Sequence, residues 1–192
     1  MRIRSYMTGT TPIMLHSDRL SDPDDPIVKQ IKQITDKKKN QTEEDKKIVS
    51  KLEWFGALYT NGAKELVIPA ANLIKLFRET GAITKDGTKI AKGVTPLALH
   101  FPLIHDGPKD LEKLFAAGPY VDRRPVGVGR SRIIRTRPIF PTWAIQADFE
   151  VLTDAINIDR ASEIIVLGGI STGLGDARIL GYGRYSAKVT PL

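Results

Sequence analysis

Residues 168–185 read Gly-Gly-Ile-Ser-Thr-Gly-Leu-Gly-Asp-Ala-Arg-Ile-Leu-Gly-Tyr-Gly-Arg-Tyr, and what flanks them decides the fold. The preceding residues, from about Asp159 to Leu167, carry helical spacing, and Gly183–Val189 carry that of a strand. Glycines this dense allow positive φ and a close approach to another chain or a phosphate. Successive N–H groups in such a turn form an anion-binding concavity. A turn that leaves a helix and opens a strand is not a dinucleotide fingerprint, which does the reverse, and no Gly-Lys-Ser/Thr follows to make a Walker loop. The competing reading is a tight helix-to-strand connection that binds nothing.

Working outward, residues 2–15 read as a strand interrupted at Gly9 and the Thr-Pro pair, with Ile3, Ser5 and Met7 alternating against Arg2, Arg4 and Tyr6. Residues 17–26 are turn chemistry. A helix entered through Pro26 places Ile27, Ile31 and Ile34 on one face. A second, capped by Thr42 with acidic residues in its first turn, is expected to bury a stripe of Ile48, Leu52 and Phe55. Short strands are expected at 57–60 and 66–68 around Asn61-Gly62, then a helix over 72–80. Residues 82–93 show no period and read as a mobile loop. A short helix near 110–115 and a strand over 144–151 complete the pattern. The fold class this predicts is α+β.

The second signal is residues 123–137, Arg-Arg-Pro-Val-Gly-Val-Gly-Arg-Ser-Arg-Ile-Ile-Arg-Thr-Arg. Arg123, Arg124, Arg130, Arg132, Arg135 and Arg137 sit with no acid among them and repel one another unless an anion neutralises them. Guanidinium groups suit bidentate phosphate contacts and base stacking. The competing reading is a charged strand edge guarded against aggregation. Composition agrees with a polyanionic partner: 29 Lys and Arg against 22 Asp and Glu give a formal charge of +7 over 192 residues. The 41% hydrophobic content argues against global disorder. With no cysteine, disulfides and thiolate metal sites are excluded, and three histidines at wide spacing (His16, His100, His105) argue against a zinc site. No apolar run is long enough to span a bilayer, and the amino terminus lacks a secretory pattern, so a cytoplasmic location is expected. The acidic turn Asp18, Asp22, Asp24, Asp25 is a weaker signal, read as capping chemistry or as a magnesium or general-base site beside His16.

These features resemble, in order, the repeat-associated mysterious protein (RAMP) superfamily, the ferredoxin-like proteins of CRISPR effector complexes. The opening strand through Gly9-Thr10-Thr11-Pro12-Ile13-Met14-Leu15-His16-Ser17 is similar to the first strand of their backbone subunits. Val67-Ile68-Pro69-Ala70-Ala71-Asn72-Leu73-Ile74-Lys75-Leu76-Phe77-Arg78 resembles their entry to the first helix, departing at Ala70 and Lys75, where glycine is usual. Gly173-Leu174-Gly175-Asp176-Ala177-Arg178 with Gly181-Tyr182-Gly183-Arg184 resembles their glycine-rich loop before the last strand.

The resemblance implies one ferredoxin-like, modified RNA-recognition domain over 1–192, with a helical-hairpin insertion at about 24–56 and a basic protruding hairpin within about 94–137. It implies largely sequence-independent, non-catalytic binding of single-stranded RNA, with single-stranded DNA the alternative strand. Its expected partners are copies of the chain or other CRISPR effector subunits, with no cofactor, metal or membrane. A phage- or mobile-element-encoded homologue is an origin consistent with it. The residues expected to contact nucleic acid are Arg19, Lys75, Arg78, Arg123, Arg124, Arg130, Arg132, Arg135, Arg137, Gly173, Gly175, Arg178, Tyr182 and Arg184. Two alternatives stay open: an endoribonuclease, magnesium-dependent or metal-independent, using His16, Asp24 and Asp25, and a protein-interaction module that caps or inhibits an effector complex.

Overall fold

The computed structural model describes residues 1–129 and 131–192. In chain order its elements are β1 (Arg2–Gly9), β2 (Ile13–Met14), α1 (Pro26–Thr35), α2 (Glu43–Gly56), β3 (Val67–Pro69), α3 (Ala70–Ile83), α4 (Gly87–Gly93), β4 (Val94–Pro96), β5 (His100–Pro102), β6 (Ile104–His105), α5 (Leu111–Ala116), β7 (Val121–Val128), β8 (Ser131–Phe140), β9 (Trp143–Val151), α6 (Ile158–Ser171) and β10 (Tyr185–Pro191). This is an α+β chain in which β1 pairs antiparallel with β10 and β9, β3 with β5, β4 and β6 with β9, and β7 with β8. It divides into two compact units: Met1–Ile13, Tyr59–Asp106 and Pro141–Leu192 form the first, and Met14–Leu58 with Gly107–Phe140 the second.

The first unit is built on a sheet of order β10-β1-β9-β4, with β6 also paired to β9. Alternation in β1 decides its two faces. Ile3, Ser5 and Met7 lie opposite Phe149, Ala147 and Ile145 of β9, and all six are buried. On the other face Arg4 pairs with Asp148 at 2.6 Å and Arg2 with Glu150 at 2.9 Å. Helices α3 and α6 supply the opposing apolar surface through Leu73, Leu76 and Phe77 and through Ala161, Ile164 and Ile165. Phe77 meets Phe149 edge to face at 5.5 Å between centroids.

The glycine-rich stretch divides between two roles. Helix α6 runs on to Ser171, so Gly168 and Gly169 are helical rather than part of the turn. A Cβ on Gly169 would lie 2.0 Å from the Tyr185 carbonyl oxygen, so glycine here lets the helix settle onto β10. The Tyr185 hydroxyl donates to Ile165 O at 2.9 Å, and burial pushes its ionisation up. Beyond the helix, Gly183 has φ +70°, and a Cβ there would sit 1.7 Å from Leu174 O. Leu174 N–H donates to Gly183 O, and Gly183 N–H donates to Pro12 O.

Three local expectations are corrected. Residues 82–93 are not an irregular loop: 87–93 form α4, anchored by fully buried Ile90. Asp86 secures its start, accepting from Lys89 at 2.8 Å and from Arg160 of α6 at 2.9 Å. One apolar anchor and an acidic clasp leave no periodic trace. Residues 57–60 form no strand, only a bridge from Thr60 to Leu66, because Asn61 Oδ1 accepts from Ala63 and Glu65 N–H and closes the turn itself. In α2, Ile48 is 41% exposed, while Asp45, Glu53 and Trp54 are buried. That helix is rotated from its apolar stripe by polar partners: the Trp54 indole donates to Tyr120 O at 2.8 Å, and Glu53 has the role described below.

Gly183→Ala should lower stability by roughly 2–5 kcal/mol, combining left-handed backbone strain with a clash against main chain, read as a lower urea midpoint. The hydrogen bonds from Lys89 and Arg160 hold the Asp86 carboxyl at about 2. A carboxyl depressed in the folded state stabilises it above its unfolded value and loses that contribution as pH falls through the folded one. The melting-temperature gap between wild type and Asp86→Asn should therefore be widest above about pH 4 and close toward about pH 2.

Candidate nucleic-acid interface

The second unit holds β7 and β8 as a long antiparallel pair within a sheet of order β2-β8-β7. The register sets Asp122 opposite Arg137, Arg123 opposite Thr136, Arg124 opposite Arg135 and Gly127 opposite Arg132. Two like charges face each other at Arg124 and Arg135, an arrangement that destabilises a sheet unless each finds an acid. Both do. Arg124 pairs with Asp122, and Arg135 Nη1 donates to Glu53 Oε1 at 2.5 Å. The other Glu53 oxygen accepts from the Thr136 N–H at 2.9 Å, and Ser50 and Thr136 share a hydroxyl hydrogen bond. One carboxylate from α2 thus holds helix to strand and neutralises one arginine. Arg137 donates to Met14 Sδ at 3.6 Å.

Arg123 and Arg132 are exposed and have no ion-pair partner among the described residues. Arg130 lies outside the described residues. The arginine segment is therefore not a uniform cluster: some of its charge is spent inside the fold, and some is left on the surface.

Within the same unit, α1, α2 and the β7–β8 pair enclose a groove of about 840 Å³. Val28 and Ile31 of α1, Val49 of α2 and Ile133 and Ile134 of β8 form apolar walls; Lys32, Lys46, Arg123, Arg135 and Arg137 add positive charge, against the single acid Glu53. Lys46 is paired to Glu43 at 2.6 Å, while Lys32 has no such partner among the described residues. Helix α1 is strongly amphipathic yet buries no residue fully, so its apolar face is left half open along this groove.

His16 is exposed and also lines the groove. Asp24 and Asp25 do not. Asp24 pairs with Lys29 at 2.8 Å, and Asp25 caps α1 by accepting from Ile27 N–H while it binds Arg19. Burial works against the ionised Asp25, but the Arg19 hydrogen bonds and the Ile27 N–H hold its carboxyl below the usual range. Arg19 is correspondingly committed to Asp25 rather than left unpaired. Among the described residues, no group of three or more histidines and acids is arranged to hold a metal ion.

The remaining candidates belong to the first unit. Lys75 and Arg78 are exposed on α3. Arg178 reaches α3 from the glycine-rich turn, pairing with Glu79 at 2.6 Å. Arg184 N–H donates to Thr11 Oγ1 at 2.9 Å, and its Nη2 donates to Arg178 O at 3.3 Å. Gly173 and Gly175 both have positive φ, +79° and +85°, and Gly173 N–H donates to Gly168 O. Tyr182 is half-buried beside them. Much of this turn's polarity is thus engaged in holding the turn together. The arginine strand pair and the glycine-rich turn fall in different units.

Lys32, Lys46, Ser50 and Glu53 line the groove and are not among the residues expected from the sequence to contact nucleic acid. The signal for Glu53 was a lone acid between Leu52 and Trp54, in a run that otherwise looks apolar. That for Lys32 was its place beside Ile31, on the border of the α1 stripe.

No protein-family model matches this chain, and no curated protein sequence is similar to it. Among solved structures, the crystal structure of Cmr6 from Pyrococcus furiosus aligns over 98% of this chain and 98% of that chain, at 13% identity and a TM-score of 0.34.

Glu53→Ala would leave the Thr136 N–H unpaired and Arg135 without its acid. It should cost about 1–3 kcal/mol, measured by chemical denaturation, and Glu53→Gln should cost less because the amide still accepts one of the two hydrogen bonds.

Proposed function

We propose that the protein binds single-stranded RNA without cleaving it, largely independently of sequence, as an oligomerising subunit of RAMP type. The observation that carries this reading is the groove of the second unit, about 840 Å³ with apolar walls and a surplus of cations. Arg123 lines it and Arg132 stands on the same strand pair, and among the described residues neither has an ion pair that must first be broken before it can neutralise a phosphate. The apolar walls are of use only to a strand whose bases are not already paired and stacked.

Sheet order supports the family resemblance. With the other elements set aside, β1, α3, β4, β9, α6 and β10 follow the split β-α-β-β-α-β pattern, and β10-β1-β9-β4 is the strand order we read as ferredoxin-like. On this reading α1–α2 and the β7–β8 pair are insertions, placed between β1 and α3 and between β4 and β9. The glycine-rich turn, with Lys75, Arg78, Arg178 and Arg184, is a second contact surface for the strand. No helix is long and apolar enough to cross a membrane among the described residues, and the partners we propose are RNA, further copies of the chain and other effector subunits, in the cytoplasm.

Binding by phosphate neutralisation is salt-dependent, with a log–log slope of about −0.7 per phosphate on single strands. Arg123→Ala combined with Arg132→Ala should weaken binding of a fluorescein-labelled uridine oligomer and reduce that slope by about 1.4 between roughly 50 and 200 mM salt. Fluorescence anisotropy reads both quantities. Unchanged affinity and slope would remove these arginines from the interface.

A further inference from the structure

We infer that the groove of the second unit receives one unstacked base of the bound strand, with the adjoining phosphate held by Arg123 and Lys32. This inference rests on the RNA-binding reading and gives the groove a specific occupant.

The walls argue for a flat apolar ligand. Val28 and Ile31 on one side and Ile133 and Ile134 on the other are all β-branched, with few rotamers to lose on binding. They are also unsatisfied as they stand. Helix α1 has no fully buried residue, and Ile134 is 50% exposed, so a ligand that covers them gains by removing apolar surface from water. The volume of about 840 Å³ falls within the usual span for small-molecule sites. It is ample for a base and its sugar.

The charges argue that this ligand is anionic. Lys46 and Arg135 line the groove but are matched by Glu43 and Glu53. Arg123 and Lys32 line it too and have no ion-pair partner among the described residues. An unpaired ammonium and an unpaired guanidinium beside an aliphatic slot fit a phosphate attached to a base. Inorganic phosphate would leave the walls uncovered, and a neutral apolar ligand would leave the cations unmatched. Gln41 also lines the groove and spends its amide N–H groups on Ile34 O and Thr35 O. Its carbonyl oxygen remains as an acceptor for a base edge.

The test compares three ligands on the full-length protein by fluorescence anisotropy and competition: a labelled uridine oligomer, an abasic ribose-phosphate oligomer of equal length, and free uridine monophosphate. The wild type should prefer the uridine oligomer over the abasic one by about tenfold, as expected when a base withdraws roughly 55 Å² of apolar surface from water, and should hold the free nucleotide far more weakly than either. Ile31→Ser with Ile134→Ser alters half-buried or exposed walls and should spare the fold, checked by its melting temperature. It should cut the preference to about twofold or less, because the apolar area it removes is the source of that preference, while abasic binding persists. Equal binding of both oligomers by the wild type would overturn the base slot and leave the RNA reading standing. A preference that survives the double substitution would also overturn it, by moving the base elsewhere. Free nucleotide binding as tightly as the oligomer would replace the strand with a nucleotide ligand. Failure to bind either oligomer would bring down the RNA reading together with this one.

Discussion

Strand β1 is hydrogen-bonded along both edges, to β9 and to β10, and this double pairing is the constraint on which the first unit depends. The two partners lie far apart in sequence, so β1 joins the beginning of the chain to its last two strands. The alternation of β1 then decides everything above and below it. Ile3, Ser5 and Met7 face the helices, and Arg2 and Arg4 face away to meet Glu150 and Asp148. A one-residue slip would exchange those rows, burying two arginines.

The turn that feeds β10 is tied to this constraint. For β10 to lie beside β1 while α6 rests upon it, the main chain must pass over itself at contact distances. Gly169 lets the helix approach Tyr185, and Gly183 leaves space for Leu174 O. Dense glycine is thus partly explained by packing. What remains for a ligand is the outer face of the turn, where Arg178 and Arg184 are themselves drawn into Glu79 and the carbonyl of Arg178.

The second unit works by electrostatic sorting. A strand pair this rich in arginine would be driven apart by its own charge, and Asp122 and Glu53 absorb the part that falls between adjacent side chains. Because Glu53 also bonds the Thr136 N–H, neutralising charge and docking α2 are one event. Arg123 and Arg132 are left facing water. The same docking holds α2 beside β8 with α1 across from it, which is what opens an apolar groove next to unpaired cations.

Local pattern alone determined a good deal. The two-residue alternation of β1, the Pro26 and Thr42 starts of α1 and α2, the helix after Pro69 and the long strand ending at Val151 are all consequences of near neighbours in sequence, as is the richness in arginine of residues 123–137. Side-chain periodicity and capping act over a few residues, so they can be read without coordinates. Helix α4 could not be read this way, because its stability comes from Ile90 in a core and from Arg160 some seventy positions away. Nor could the buried face of α2, where Glu53 and Trp54 displace an apparently better apolar stripe to reach Thr136 and Tyr120. Which arginines are free is likewise a tertiary matter: charge is a property of the residue, but its neutralisation depends on which acid the fold brings within reach.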